Sequence, residues 1–346
     1  MDMEAHGHPL HTRALGVSLA QRDDAKLDAR GYVFDIRKRG FVPVAGELHG
    51  SGLIHDMRLT GVVDPARATL ESLAAEQRNV AFEPSAVTAG ESCRDPVDRI
   101  RAMSGSRLDA GYAQRLRAEF GGALGCSHLL TLGHLLGTTA AWALERDRAL
   151  HGPAPARRPG ECVFRRDLVV DGQEPVAERM QLVAQSTELV FAPAPAVCRP
   201  MDRFAAALEV RALIDLDPST GFVVTRAEIA ERRRGRADLA DAAWRARDDV
   251  AASLVGLRLW VGAAAQLLGL LGDRQDDRPV LDLLLMLAPT IVQCAATLSE
   301  PWVLSFATSP SVVAVGGLPD SCYMWRRDGA LDRVREAEGG TPKWRA

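Results

Sequence analysis

The sequence predicts an α+β fold of two similar halves, each an antiparallel β-meander followed by packed helices, the two arranged as a pseudo-dimer. Three observations lead there. Period-two alternation gives way to helical spacing once in each half of the chain. A faint duplication carries Gly125-Cys126-Ser127-His128 through Leu144, without gaps, onto Pro279-Val280-Leu281-Asp282 through Leu298. Between the halves, Pro153-Ala154-Pro155-Ala156-Arg157-Arg158-Pro159-Gly160 has the composition of a linker.

The expected organisation is therefore an N-terminal arm with a lead-in strand (1–30), a first α+β copy (31–150) and a Pro-rich linker (151–160). A second, degenerate copy with a closing strand follows (161–346). Within the first copy, the runs 32–37, 41–49, 53–63 and 68–77 alternate as strands do, with Pro43 placing the second at an edge or bulge. Gly50-Ser51-Gly52 and Asp64-Pro65-Ala66 are turn signals. Residues 109–120 then become amphipathic at helical spacing, Gly121-Gly122 interrupts them, and Ser127 to Leu144 is a second helix. The second copy follows in the same order, with strands at 162–170, 177–191, 205–216 and 221–230. A charged helical stretch at 226–249 and apolar helices at 254–271 and 279–298 come next. Tyr323 and Trp325 alternate with Cys322 and Met324 as a closing strand would.

The duplication also points to a site. Leu53–Leu59 realigns on Phe204–Val210, so His55 and Asp56 become Ala206 and Ala207, while Cys126 and His128 become Val280 and Asp282. One copy keeps its reactive side chains and the other does not. If Gly50-Ser51-Gly52 closes a three-residue hairpin, His49 faces Leu53 and Glu47 faces His55. Glu47, His49 and His55 then share one side of the sheet, with Asp56 on the other. A carboxylate beside an imidazole fixes its tautomer and suits a general base. Cys126 and His128 open a helix, with Ser127 as its N-cap, so a thiol or an anionic ligand there meets the positive end of the dipole. Arg13 offers charge stabilisation, and Tyr323 and Trp325 could wall the site. Glu47, His49, His55 and His128 include metal-ligand types, but no HxxxH or HExxH spacing ties two of them together, and no metal is expected.

Composition bounds the class. Over 346 residues the formal charge is −3, from 42 Lys+Arg against 45 Asp+Glu, so no global basic field draws nucleic acid. Lys stands only at 26, 38 and 343, an Arg-for-Lys skew that fits a GC-rich bacterial genome. The acidic, polar start carries no secretory signal, and the apolar run 279–298, interrupted by Asp282, Pro289 and Gln293, suits a core helix better than a membrane span. Six scattered cysteines without a CxxC pair are expected as free thiols in the cytoplasm.

At His11-Thr12-Arg13, Ile54-His55-Asp56-Met57, Gly121-Gly122 leading into Gly125-Cys126-Ser127-His128-Leu129, and Asp320-Ser321-Cys322-Tyr323, the chain resembles a bacterial family known as domain of unknown function 2889. The resemblance covers residues 11–147 and about the last thirty. In a short family member the Gly-Cys-x-His helix runs almost directly into the Asp-Ser-Cys strand, whereas here the second copy lies between them. The resemblance loosely implies bacterial breakdown of lignin-derived aromatics. The expected activity is a cofactor-independent lyase that cleaves a side-chain bond of a small aromatic substrate, for instance releasing formaldehyde from a phenolic dimer. His55 would be the base, oriented by Glu47 or Asp56, and His128 the acid or the holder of a phenolate or alkoxide. Arg13 would assist, and His49, Cys126, Tyr323 and Trp325 would contact substrate. The alternatives are a non-catalytic binding or assembly module dimerising through the apolar helices, and a metal-dependent hydrolase. Neither a nucleic-acid nor a membrane partner is expected; a homodimer is.

Overall fold

The computed structural model describes residues 7–337 except 45–46, 177–178, 195–197, 238–239, 273 and 299–316. The first strands are β1 (His8–Gln21), β2 (Leu27–Arg37), β3 (Val42–Val44), β4 (Glu47–His49), β5 (Gly52–Asp64), β6 (Thr69–Asn79) and β7 (Ser106–Arg107). Helices α1 (Tyr112–Phe120) and α2 (Ser127–His151) come next. Then follow β8 (Cys162–Glu174), β9 (Met180–Phe191), β10 (Phe204–Asp217), β11 (Val223–Gly235) and β12 (Arg245–Ala246). Helices α3 (Asp248–Leu254), α4 (Ala263–Leu271), α5 (Arg278–Leu285), α6 (Leu287–Leu298) and α7 (Ala330–Ala337) complete the described chain. The fold is α+β, with ten strands in one antiparallel sheet ordered β12-β11-β10-β9-β8-β1-β2-β5-β6-β7.

Alternation along the strands explains how the sheet is covered. In β1, Leu15, Val17 and Leu19 are buried beneath helices, while Ala14, Ser18 and Ala20 are less buried on the opposite side. Helix α2 lies over β1, β2, β5, β8 and β9, and α6 over β1 and β8. Close helix packing depends on Gly137, where a Cβ would meet the Tyr112 ring at 2.0 Å, and the Tyr112 hydroxyl donates to the Gly133 carbonyl at 3.1 Å. Arg278–Leu298 has the length and apolarity of a membrane span, yet it is broken into α5 and α6 and most of it is buried in the protein.

Several sequence expectations are corrected. The lead-in strand expected within 1–30 is present as His8–Gln21, but it begins almost at once and is a central strand, paired along its length with β2 and β8. Residues 1–6 of the expected arm lie outside the described residues. Gly50-Ser51-Gly52 does not close a hairpin between β4 and β5. Instead β4 pairs with β3, His49 opposite Val42, and β5 pairs with β2. The long β2 offers β5 a full ladder, and Pro43, which cannot donate, confines its own strand to a small separate ribbon. The charged stretch from Arg226 is strand rather than helix up to Gly235, because Val210 and Ala212 of β10 pair with Glu231 and Ile229 and bury the latter. The closing segment is no strand either. Tyr323–Trp325 is a 3-10 turn whose Tyr323 N–H donates to the Gly125 carbonyl at 2.8 Å, so this segment returns to the first half. There Met324, Trp325 and Leu331 form a small core with Phe82.

Candidate functional site

Three neighbouring strands set one row of polar side chains beneath α2. Arg13 on β1 is directly opposite Asp35 on β2, which is directly opposite His55 on β5. His11 precedes Arg13 by two residues and shares its face. All four are buried among apolar neighbours, Arg13, His11 and Asp35 completely. Burying charge is costly unless it is paired, and here every member converges on one carboxylate. Arg13 Nη1 donates to both Asp35 oxygens at 3.2 and 3.1 Å. His11 Nε2 donates to Oδ1 at 3.0 Å and His55 Nδ1 to Oδ2 at 3.2 Å. Because an ionised carboxylate only accepts, these bonds leave the lone pairs of neutral His11 on Nδ1 and of neutral His55 on Nε2.

The start of α2 supplies the remaining member. Cys126 is its N-cap residue and Ser127 already lies inside the helix, so the expected Ser127 cap is not formed. His128 projects from this first turn with Nε2 3.5 Å from Asp35 Oδ2, and its ring stacks on that of His55 at 3.8 Å between centroids. With 16% of its side chain exposed, His128 is the cluster member that reaches solvent.

Electrostatics divides the roles. Burial pushes the Asp35 carboxyl up, but the Arg13 charge and the bonds from His11 and His55 outweigh it and hold the group well below its usual range. Burial, reinforced by His55, drives the His128 imidazole well below its ordinary value, and burial lowers His11 in spite of Asp35. The Cys126 thiol, 3.9 Å from His128 Nδ1, is pushed up to about 12 by burial, so the helix start does not make it a thiolate at neutral pH.

These shifts give a pH prediction with a definite sign. The folded protein lowers both His11 and His128 from their ordinary values, so as pH falls below about 6.5 the unfolded chain binds more protons than the folded one. Their stabilising contribution is complete above that pH and is lost on acidification, at up to about 1.4 kcal/mol per pH unit for each group. Asp35, also depressed, adds its own loss only below about pH 4. The melting temperature should fall from pH 6.5 to 5, with a shallower slope in His128→Asn. A flat profile in the wild type would contradict the assignment.

Of the residues expected from sequence, Arg13, His55 and His128 come together, with Cys126 adjoining. Asp56 does not orient His55. It projects from the other side of β5 and lies 3.4 Å from Arg58. His49 sits on β4, where its carbonyl accepts from Arg37 at 3.1 Å. Glu47 is on the same strand, but its side chain lies outside the described residues. Tyr323 stacks against Arg326 and bonds Asp95, and Trp325 packs edge-on against Phe82, so neither walls the cluster. Asp35 and His11 were missed. Asp35 had a signal: it falls on the inward side of the alternating run with Val33, where a charge needs a partner. A concavity of about 880 Å³ on the open face of the sheet, lined by Tyr32, Arg58, Arg165 and Asp167, contains none of the cluster.

Asp35, His55 and His128 could also hold a metal ion, their donor atoms lying within 4.8 Å of one another. Arg13 opposes this. Its guanidinium already neutralises Asp35 and would lie close to any divalent cation bound there. Proton transfer suits the set better.

The second half contains a related cluster. Arg166 and Glu188 face each other on β8 and β9 as Arg13 and Asp35 do on β1 and β2. The central ladder pairs Arg13 with Val170 and Val17 with Arg166. Arg166 reaches Glu188 at 2.7 Å and Asp282 at 2.5 Å, and Trp142 Nε1 donates to Glu188 at 2.8 Å. Opposite Glu188, the ladder places Leu208 rather than the Ala206 of the gapless alignment. This cluster thus carries buried charges without a histidine among these partners.

Fold and site together define an α+β protein with a buried His/Asp/His/Arg cluster at the start of a long helix. Residues 11–142 match the family model described as "Protein of unknown function (DUF2889)". The matched segment contains every member of the cluster. Comparison with curated proteins and with solved structures gave no match.

Proposed function

We propose that the chain is a lyase that uses acid/base residues to break a side-chain bond of a small, lignin-derived aromatic compound, with formaldehyde as the released fragment. The observation that carries this reading is the coupling of His55 to the buried Asp35, with His128 stacked on it. Elimination beside a phenol needs a proton acceptor and a place for developing oxyanion charge. His55 Nε2 supplies the first, with Asp35 fixing the tautomer and lying 3.2 Å from any positive charge formed on the ring. His128, kept neutral and partly open to solvent, receives or delivers a proton at the substrate oxygen, and Arg13 offsets negative charge there.

Two further expectations are kept as proposals. The halves are related as a pseudo-dimer, which the strand order on either side of the β1–β8 seam supports. The six free cysteines support a reducing, cytoplasmic setting.

Purified protein incubated with a panel of lignin-type dimers should release formaldehyde. The His55→Ala, His128→Ala double variant should be slower by roughly 10²–10⁴-fold, the usual span for general acid–base groups. Full activity in that variant would remove the assigned roles, and no formaldehyde from any dimer would remove the reaction.

A further inference from the structure

The two buried arginines differ in the number of carboxylates they meet. Arg166 meets two carboxylates, Glu188 and Asp282, and its Nη1 also donates to Thr139 at 2.9 Å. Arg13 meets one carboxylate, Asp35; among the described residues Nε and Nη2 of both arginines are buried without a hydrogen-bond partner, but Arg166 Nη2 lies 2.7 Å from a Glu188 oxygen. In the gapless realignment of the two helices, His128 stands at the position of Asp282. Buried donors without partners are costly, and a guanidinium fork suits an oxyanion closely.

We propose that Arg13 is an anion-binding group, and that the ligand of this site brings a carboxylate or phenolate oxygen to its free Nε/Nη2 edge, as a second anion beside Asp35 where Arg166 already meets two carboxylates. The ligand enters from the side of His128, where the cluster reaches solvent, and its ring lies against the stacked imidazoles and Met57, whose sulfur is 3.8 Å from that of Cys126. This goes beyond the lyase reading and does not need it, because the anion is held whichever bond is broken.

Equilibrium binding to the full chain, by calorimetry and thermal shift, tests it with benzoate, 4-nitrophenolate and neutral methyl benzoate. At least one anion should bind, and methyl benzoate at least about tenfold more weakly. Benzoate alone would identify a carboxylate ligand, 4-nitrophenolate alone a phenolate, and both the shared oxyanion chemistry. Arg13→Lys, which keeps the charge but loses the fork, should weaken anion binding roughly tenfold to a hundredfold. His128→Glu supplies an internal carboxylate and should lose anion binding while keeping or raising the melting temperature. If His128→Glu does not fold, Arg13→Lys decides. The proposal is overturned if neither anion binds, if methyl benzoate binds equally well, or if Arg13→Lys or a folded His128→Glu binds anions like the wild type. Formaldehyde release without anion binding would overturn this proposal alone, and anion binding without formaldehyde release the lyase reading alone.

Discussion

Asp35→Ala should destabilise the protein by about 3–5 kcal/mol, the usual cost of removing one partner of a buried ion pair. The size follows from what remains: a fully buried Arg13 with no carboxylate and two imidazole N–H groups with no acceptor. Urea unfolding should show the loss as a lower midpoint with an unchanged slope. Replacing both partners, as Arg13→Met with Asp35→Leu, should recover most of the stability while removing anion binding, because an apolar pair avoids the desolvation cost. Asp35→Ala within about 1 kcal/mol of the wild type would show that the pair is not buried as described.

Arg166→Met should cost at least as much, about 3–5 kcal/mol, because it leaves two buried carboxylates rather than one buried cation. Arg278 lies 3.6 Å from Asp282 and relieves part of that charge, and Trp142 still donates to Glu188. Neither replaces the guanidinium between the two acids. Adding Glu188→Gln and Asp282→Asn should restore part of the midpoint by removing the repulsion. No recovery in that triple variant would mean that packing of the Arg166 stem, not its charge, holds this region together. The Arg166 cluster joins α2, through Thr138, Thr139 and Trp142, to β8, β9 and α5, so its loss should loosen the contact between the chain's two parts.

Much of this architecture was legible locally. The runs at 53–63 and 68–77 and the strands at 162–170, 180–191 and 205–216 stand where alternation placed them, because one buried face imposes period two. The helices from Tyr112 and Ser127 follow their apolar spacing in the same way. Short-range rules failed where the deciding partner was distant. Val223–Gly235 has a charge pattern compatible with a helix, and only β10 beside it makes it a strand. His8–Gln21 reads as an arm ending in a lead-in strand until β2 and β8 are placed on either side.

The site divides along the same line. His55 and His128 could be chosen from residue type, from their replacement in the realigned stretch and from family resemblance, and Arg13 from residue type and resemblance. Asp35 could not be joined to them, since its partners lie on other strands and on the first turn of α2. Glu47 and Asp56 were chosen to orient His55 because they are near it in sequence, but Asp35 holds that position.

By itself, then, the sequence determined the α+β class, most of the long strands and helices and the chemical types available, since these depend on periodicity and composition along a short stretch. Only the tertiary structure decided the register that sets Arg13, Asp35 and His55 in one row, and the return of the closing segment to Gly125. It alone also showed that the second half retains buried charges. The physical reason is that a buried charge is tolerated only beside its partner, and across a sheet that partner is fixed by strand pairing, not by distance along the chain.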